Sequence, residues 1–277
     1  MMKVRKIRFI LISALLLVFT FTSFVSVGGE VKFRYSFELV LQSCQDSDME
    51  KLKKFYFLKK LNIQNLKSDK LDLITCKNLK ELVIMTQTNN NAYLYLNELK
   101  NLESFYSVGL DFNDFSYFSS MSKLKKLYLG WGYAGNRIKS SHYFESLPIS
   151  LEHLCINGLE NTKCLNFSKL ENLETLYVSD SFLYSLKIDN PKLERLSISY
   201  NGDLEYIDIS DDTNNLESIY IVDCHNLRLD IEKLQQLKAL QYIYINEKLL
   251  SNEEIQKLLN LGIRVDCESN IGDDSLE

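Results

Sequence analysis

The sequence predicts an α/β solenoid, a coil of some two dozen residues wound repeatedly, each turn adding one parallel strand to a curved sheet. Three observations predict it. First, one phrase recurs: Leu124-x-x-Leu127-x-Leu129, Leu151-x-x-Leu154-x-Ile156, Leu173-x-x-Leu176-x-Val178 and Leu193-x-x-Leu196-x-Ile198. Second, the first leucine of nine such phrases falls at Leu52, Leu79, Leu102, Leu124, Leu151, Leu173, Leu193, Leu216 and Leu240, at intervals of 27, 23, 22, 27, 22, 20, 23 and 24 residues. Third, the stretches between phrases are short alternations such as Leu94-x-Leu96, Leu165-x-Phe167, Leu186-x-Ile188, Ile207-x-Ile209 and Leu227-x-Leu229. Those leave little room for long helices.

The phrase has a simple physical reading. Alternate side chains of a strand face opposite ways. The fourth and sixth positions therefore point into the coil, and the third, fifth and seventh point out. Each unit buries roughly three aliphatic side chains, worth about 1.5–3 kcal/mol apiece. No unit is stable alone, because its neighbour supplies the other wall of its core.

Taken in order, the chain opens with Lys3, Arg5, Lys6 and Arg8, followed by an apolar run from Phe9 to Val18 and small residues at Ser26, Gly28 and Gly29. This is the layout of a secretory signal peptide over residues 1–29, with cleavage expected near Gly28 or Gly29. The alternative is an uncleaved anchor, since Ile7 to Val27 is long enough to span a bilayer. Either way the rest of the chain is expected to be exported, secreted or held at the cell surface. The membrane would then be met only through that segment. In residues 30–48, Val31, Phe33, Tyr35, Phe37 and Leu39 alternate with Lys32, Arg34, Ser36 and Glu38. Such alternation predicts one strand that caps the first repeat. About nine repeats fill residues 49–250. Asp230 is the expected N-cap of a helix carrying Ile231, Leu234 and Leu237. Residues 251–268 form the closing cap. Ser251 and Glu254 make a capping box, and Ile255, Leu258 and Leu259 form an apolar helical face. Gly262 stops that helix, and Ile263 with Val265 begins a last strand. Residues 269–277 are a polar, frayed tail.

Nine phrases at this spacing resemble the leucine-rich-repeat family, over about residues 49 to 250. The segment from Leu183 to Leu193 is similar to the repeats of exported bacterial members. The resemblance implies a right-handed coil with a parallel concave sheet of about nine to ten strands, a mostly extended, irregular convex side, and caps at both ends. It also implies protein–protein interaction as the usual role. Family members carry Asn or Cys at the ninth position of the phrase. Here only Asn201 and Cys224 match, with Ser181 as a substitute, while Gln87, Gly132, Leu159 and Lys248 do not. The ladder of ninth residues is thus broken, and Cys224 is expected to be structural.

Composition narrows the function. The 277 residues carry a net charge of -5, so the basic footprint of a nucleic-acid partner is missing at the level of the chain. Three histidines, His142, His153 and His225, leave little room for a histidine-rich metal site, and the six cysteines show no C-x-x-C pair. Either disulfides or buried free thiols fit an even cysteine count. No G-x-S-x-G, P-loop, H-E-x-x-H or EF-hand pattern occurs. His153 and Cys155 lie two apart on one expected strand, which holds them about 7 Å apart and supplies no oxyanion donor. The expectation is a non-enzymatic protein with no cofactor, no metal and no catalytic residue.

Function would be written on the outward positions. The fifth positions read Tyr56, Val83, Tyr106, Tyr128, Cys155, Tyr177, Ser197, Tyr220 and Tyr244. Tyrosine suits strands and stacks across rungs; it is also a rigid contact residue at binding hot spots. The second and third positions are rich in lysine early and glutamate late, with Arg195 among them. That pattern is a solvated face or a polarised groove that orients a partner. The unit starting at Leu124 carries an insert with Trp131 and Tyr133 between glycines, on a loop at the rim. The partner-binding candidates are therefore Tyr106, Tyr128, Trp131, Tyr133, Tyr177, Arg195, Tyr220 and Tyr244. A protein partner is the leading expectation. A glycan is the alternative, on Tyr128, Trp131 and Tyr177 beside Glu152, Glu174 and Glu194. Hydrolysis by paired glutamates is the remote one.

Overall fold

The structure is a computed structural model, and it describes residues 24–90, 93–110, 116–130, 141–160, 162–246 and 249–268. The candidates Trp131 and Tyr133 lie outside the described residues.

Two short strands, β1 (Phe24–Val27) and β2 (Glu30–Phe33), pair antiparallel as a hairpin. Then comes β3 (Glu38–Leu41), a single helical turn α1 (Met49–Leu52), β4 (Lys60–Ile63), β5 (Lys70–Asp72), β6 (Glu81–Asn90), β7 (Tyr93–Tyr95), β8 (Ser104–Leu110) and β9 (Lys126–Gly130). The second half runs β10 (His153–Asn157), β11 (Cys164–Asn166), β12 (Thr175–Ser179), β13 (Ser185–Ile188), β14 (Arg195–Ser199), β15 (Tyr206–Ile209) and β16 (Ser218–Val222). It closes with α2 (Ile231–Gln236), β17 (Tyr242–Asn246), α3 (Asn252–Asn260) and β18 (Arg264–Glu268).

Eleven of these strands form one parallel sheet, in the order β18-β17-β16-β14-β12-β10-β9-β8-β6-β4-β3. Each coil of the chain lays its strand beside the previous one. On the opposite wall, β11-β13-β15 and β5-β7 form smaller parallel sheets out of the expected short alternations. Fourth-position residues pair in one row, through Leu82↔Phe105, Phe105↔Leu127, Leu154↔Leu176 and Ile219↔Ile243. Sixth-position residues form a second row, and both rows are buried. A tight turn shuts most coils, where the N–H of the first leucine donates to the carbonyl three residues back: Leu79 to Cys76, Leu102 to Leu99, Leu124 to Met121, Leu173 to Leu170. Among the described residues no helix is long and apolar enough to cross a membrane.

The first unit departs from the sequence register. Leu52 ends α1 rather than opening a strand, and turns at Phe55 and Leu58 follow it, where Phe55 N–H donates to the Leu52 carbonyl and Leu58 N–H to the Phe55 carbonyl. The true phrase is Leu58-Lys59-Lys60-Leu61-Asn62-Ile63, 21 residues before Leu79. Tyr56 thereby leaves the fifth-position row and sits exposed, with Asn62 in its place. The expected cap strand is also divided. A turn closed by Ser36 N–H to the Phe33 carbonyl splits it, so that its first half joins the hairpin and only β3 edges the sheet. The expected cleavage point at Gly28 or Gly29 falls on the hairpin's turn, where both glycines have positive φ and Val27 beside them is fully buried.

The closing cap follows the sequence. The Ser251 side chain accepts from Glu254 N–H while the Glu254 carboxylate accepts from Ser251 N–H, and Leu258 is buried. Leu259, expected on the same apolar face, is instead exposed, because α3 packs one narrow stripe. Asp230 caps α2 by accepting from Lys233 N–H.

Two ladders stitch the coils together. Inside, Ser181, Asn201 and Cys224 are buried at the ninth position. Leu159 N–H donates to Ser181 Oγ at 3.1 Å, and Ser181 N–H donates to Asn201 Oδ1 at 3.0 Å. Asn201 Nδ2 donates to the carbonyls of Ser199 and Val178. The Cys224 thiol points at the Val222 carbonyl, and burial pushes it up to about 11. It is thus a neutral wall residue. The residue just before, at position eight, is left-handed in five units: Gly109, Gly158, Asp180, Tyr200 and Asp223.

The second ladder was not expected. The residue before the first leucine is Asn78, Asn101, Asn172 or Asn215 in four units. Each donates its side-chain N–H to a carbonyl of the preceding coil, at Tyr56, Lys77, Ile149 and Pro191, over 2.7–2.9 Å. Lys123 and Lys192 occupy the same position in other units and donate to Asn101 and Asn172.

Candidate concave binding face

The parallel register aligns the fifth positions into one row of eleven: Val40, Asn62, Val83, Tyr106, Tyr128, Cys155, Tyr177, Ser197, Tyr220, Tyr244 and Asp266. The tyrosines fall into two groups with Tyr177 between them. Tyr106 and Tyr128 stack face to face, with ring centroids 4.1 Å apart and planes 12° from parallel. Gly130 makes room for this pair. A Cβ there would lie 2.8 Å from Cε1 of Tyr128, so the Tyr128 ring lies back along its own strand over Gly130. Burial, and then the neighbouring Tyr106 and Cys155, push the Tyr128 hydroxyl well above the usual phenol range. It remains a neutral donor.

The second group sits at the other end. Tyr220 lies 6.4 Å from Tyr244 and 5.4 Å from Tyr242, edge on to the latter. Tyr242 donates to Asp266 at 3.0 Å, and Arg264 lies over its ring while pairing with Asp266. Its hydroxyl is raised by burial and by that carboxylate. Tyr242 is not among the sequence candidates, although it stands at a third position, which faces outward as the fifth does. Tyr177 bridges to Ser199 at 3.0 Å. Arg195 is exposed, one rung from Thr175 and Ser218. The structure thus brings Tyr106 with Tyr128, and Tyr220 with Tyr244, into contact. Tyr177 and Arg195 stand apart from both groups.

The charges sort in a way that sequence position alone does not reveal. Early lysines pair across the rungs: Lys60 with Glu81 at 2.9 Å, Lys80 with Glu103 at 2.5 Å, Lys125 with Glu152 at 2.6 Å. Hydrogen bonding to Lys80 holds the Glu103 carboxyl below its usual range. Exposed pairs of this kind contribute about 0–1 kcal/mol each, but they neutralise that half of the face. Glu174, Glu194 and Glu217 continue the same column, and among the described residues none has an ion pair. The net negative charge of the face therefore resides in its later half.

Glu152, His153 and Glu174 place one ligand atom each within 4.8 Å of one another. Two carboxylates and an imidazole could hold a divalent cation, while Lys125 already supplies a positive charge to Glu152. Cys155 offers no nucleophile. Burial pushes its thiol up to about 12, so it is not a thiolate at neutral pH. Cys44, Cys76 and Cys224 are likewise buried free thiols.

No family model and no curated protein sequence matches this chain. Solved structures do. A chain of the octameric complex of Latrophilin 3, Unc5D and FLRT2, the last described as LRR, matches with a TM-score of 0.56 at 18% identity, over 86% of this chain and 84% of that one. The plant peptide hormone receptor RGFR1, in complex with RGF2, matches with a TM-score of 0.53 at 16% identity, over 84% of this chain and 40% of the receptor. The functional domain of InlJ from Listeria monocytogenes, described as including a cysteine ladder, matches with a TM-score of 0.50 at 16% identity, over 76% of this chain and 55% of that one. Identities this low speak to the fold.

Proposed function

Because this chain is a leucine-rich-repeat solenoid, we propose that it is a non-enzymatic binding protein that holds a protein partner on its concave sheet. The observation that carries the reading is the tyrosine row. Tyr106, Tyr128, Tyr177, Tyr220 and Tyr244 face away from the core, where neither packing nor chain closure requires an aromatic ring. Tyrosine there supplies rigid contact area with a polar tip. Eleven rungs about 4.8 Å apart give a face of roughly 48 Å, a length that suits a protein rather than a small metabolite. Solved neighbours of the same fold that are described in complexes with protein or peptide partners support the reading. The basic start and apolar run of the first 23 residues support export.

The test is affinity capture from the native surroundings, with wild type set against Tyr106→Ala/Tyr128→Ala/Tyr177→Ala. The variant should lose the partners that wild type retains, with its thermal unfolding little changed. Equal recovery by both would remove the concave face from the account. Glycan-array binding by wild type, lost in the same variant, would move the ligand to carbohydrate held by Tyr177 beside the unpaired Glu174 and Glu194.

A further inference from the structure

A second exposed surface lies at the opposite end from the closing cap. Phe24, Val31, Phe33, Phe37, Tyr56 and Phe57 are each between 40% and 70% exposed. Four rings run together through the half-buried Tyr35: Phe24 and Phe33 are 5.4 Å apart, Phe33 and Tyr35 5.5 Å, Tyr35 and Phe57 6.0 Å, with the exposed Phe37 two residues further along the chain from Tyr35. None of the exposed rings belongs to the tyrosine row of the concave face. Cations border the cluster, with Arg34 over the Tyr35 ring and Lys59 over the Phe37 ring. A soluble monomer scatters its exposed apolar residues singly; a contiguous patch marks an interaction surface.

What covers the patch follows from where the chain comes from. Phe24, a member of the cluster, is the residue at which the N-terminal segment ends. The 17 residues from Ile7 to Ser23 carry a single charge, at Arg8, and include the apolar run; about 17 residues is the lower limit for crossing a bilayer. The hairpin that follows is integral to the fold. Val27 is fully buried, and a Cβ on Gly28 would meet the Ser43 carbonyl oxygen at 2.5 Å. A chain that keeps this hairpin keeps Phe24, and any membrane holding the preceding segment lies within a few ångström of the patch. Aromatic rings with neighbouring lysine and arginine are the side chains that favour the bilayer headgroup layer.

We infer that the Phe24/Phe33/Tyr35/Phe57 cluster, together with the exposed Phe37 that follows it in the chain, is a bilayer-contact surface. The solenoid rests by this end on the membrane that retains the chain's own N-terminal segment, and so stands with its closing cap pointing away. The inference is independent of the concave-face reading and rests on retention of that segment.

Depth-dependent quenching tests it. The full chain, with Trp131→Phe to remove the native tryptophan, is reconstituted into phosphatidylcholine–phosphatidylglycerol vesicles with acyl chains brominated near the headgroup. One protein carries Phe37→Trp; the other carries Leu261→Trp, at an exposed position of the closing cap. Emission of Phe37→Trp should fall about two-fold or more and shift to the blue, as for a ring in the headgroup layer, while Leu261→Trp stays unchanged. Flotation with the vesicles but equal, unquenched emission from both would overturn the contact surface alone. Protein that does not float would overturn it together with retention of the segment. Unquenched Phe37→Trp in a chain that runs as a dimer in detergent would assign the patch to a second copy and also overturn it.

Discussion

Asn201 is a polar side chain with no exposed surface, between Ser181 and Cys224 in the buried ninth-position ladder. It accepts from Ser181 N–H and donates to the carbonyls of Val178 and Ser199, the latter also accepting from Asp180 N–H. Asn201→Ala takes this partner from the buried Ser181 N–H, and a buried group left unpaired costs about 1–3 kcal/mol. The expected loss is about 2 kcal/mol, read as a lower urea midpoint at unchanged slope; a loss under about 0.5 kcal/mol would mean that the coil relaxes to pair that group otherwise. Ser107 is the opposite case. It replaces the usual aliphatic at a sixth position, and its buried hydroxyl has no partner among the described residues. The inner ladder was legible because a ninth-position Asn or Cys is set by distance from the phrase. The outer one was not. Asn78, Asn101, Asn172 and Asn215 are exposed or half-buried polar residues just before a leucine, and in sequence they look like any solvated turn.

At the level of elements, the units from Leu79 onward lie where the phrase puts them, and the misreading is confined to the amino-terminal end. Leu52 satisfies the spacing, but Met49–Leu52 closes a helical turn before a strand can start, and no property of Leu52 itself reports that. The hairpin was hidden differently. Phe24 to Val27 continues an apolar stretch, so composition groups it with the segment before it rather than with the fold after it. Asp48 ties this hairpin down. Burial works against its charge, yet the N–H groups of Gln45 and Gly28 and the Lys51 ammonium outweigh burial and hold its carboxyl below the usual range. A carboxyl lower in the folded than in the unfolded chain stabilises above the unfolded value of about 3.9. That contribution is lost as the pH falls through the lowered folded value. Asp48→Asn should therefore melt below wild type at neutral pH, and the gap should close under acid conditions. Melting curves whose separation does not change from neutral to acid pH would show that Asp48 acts only by its shape.

Across the whole molecule, the concave face divides into a neutral half and an acidic half. The lysine-to-glutamate trend along the chain was visible in the sequence. The pairing of Lys60, Lys80 and Lys125 one rung across was not, because it needs the register. An acidic half speeds the approach of a positively charged partner surface and makes the rate sensitive to salt. With the captured partner in hand, Glu174→Gln/Glu194→Gln/Glu217→Gln should slow association several-fold and flatten its dependence on ionic strength. An unchanged salt slope would place the partner's charge elsewhere. The tyrosine row carries one more consequence, a metric one. Tyr128, Tyr177 and Tyr220 stand on every second rung, with Cys155 and Ser197 between them. Two rungs measure about 9.6 Å, and one three-residue turn of a polyproline II helix about 9.3 Å. The two scales mesh like a vernier: a polyproline II segment laid along the solenoid axis would bring every third side chain onto a tyrosine and turn the two between away from the row.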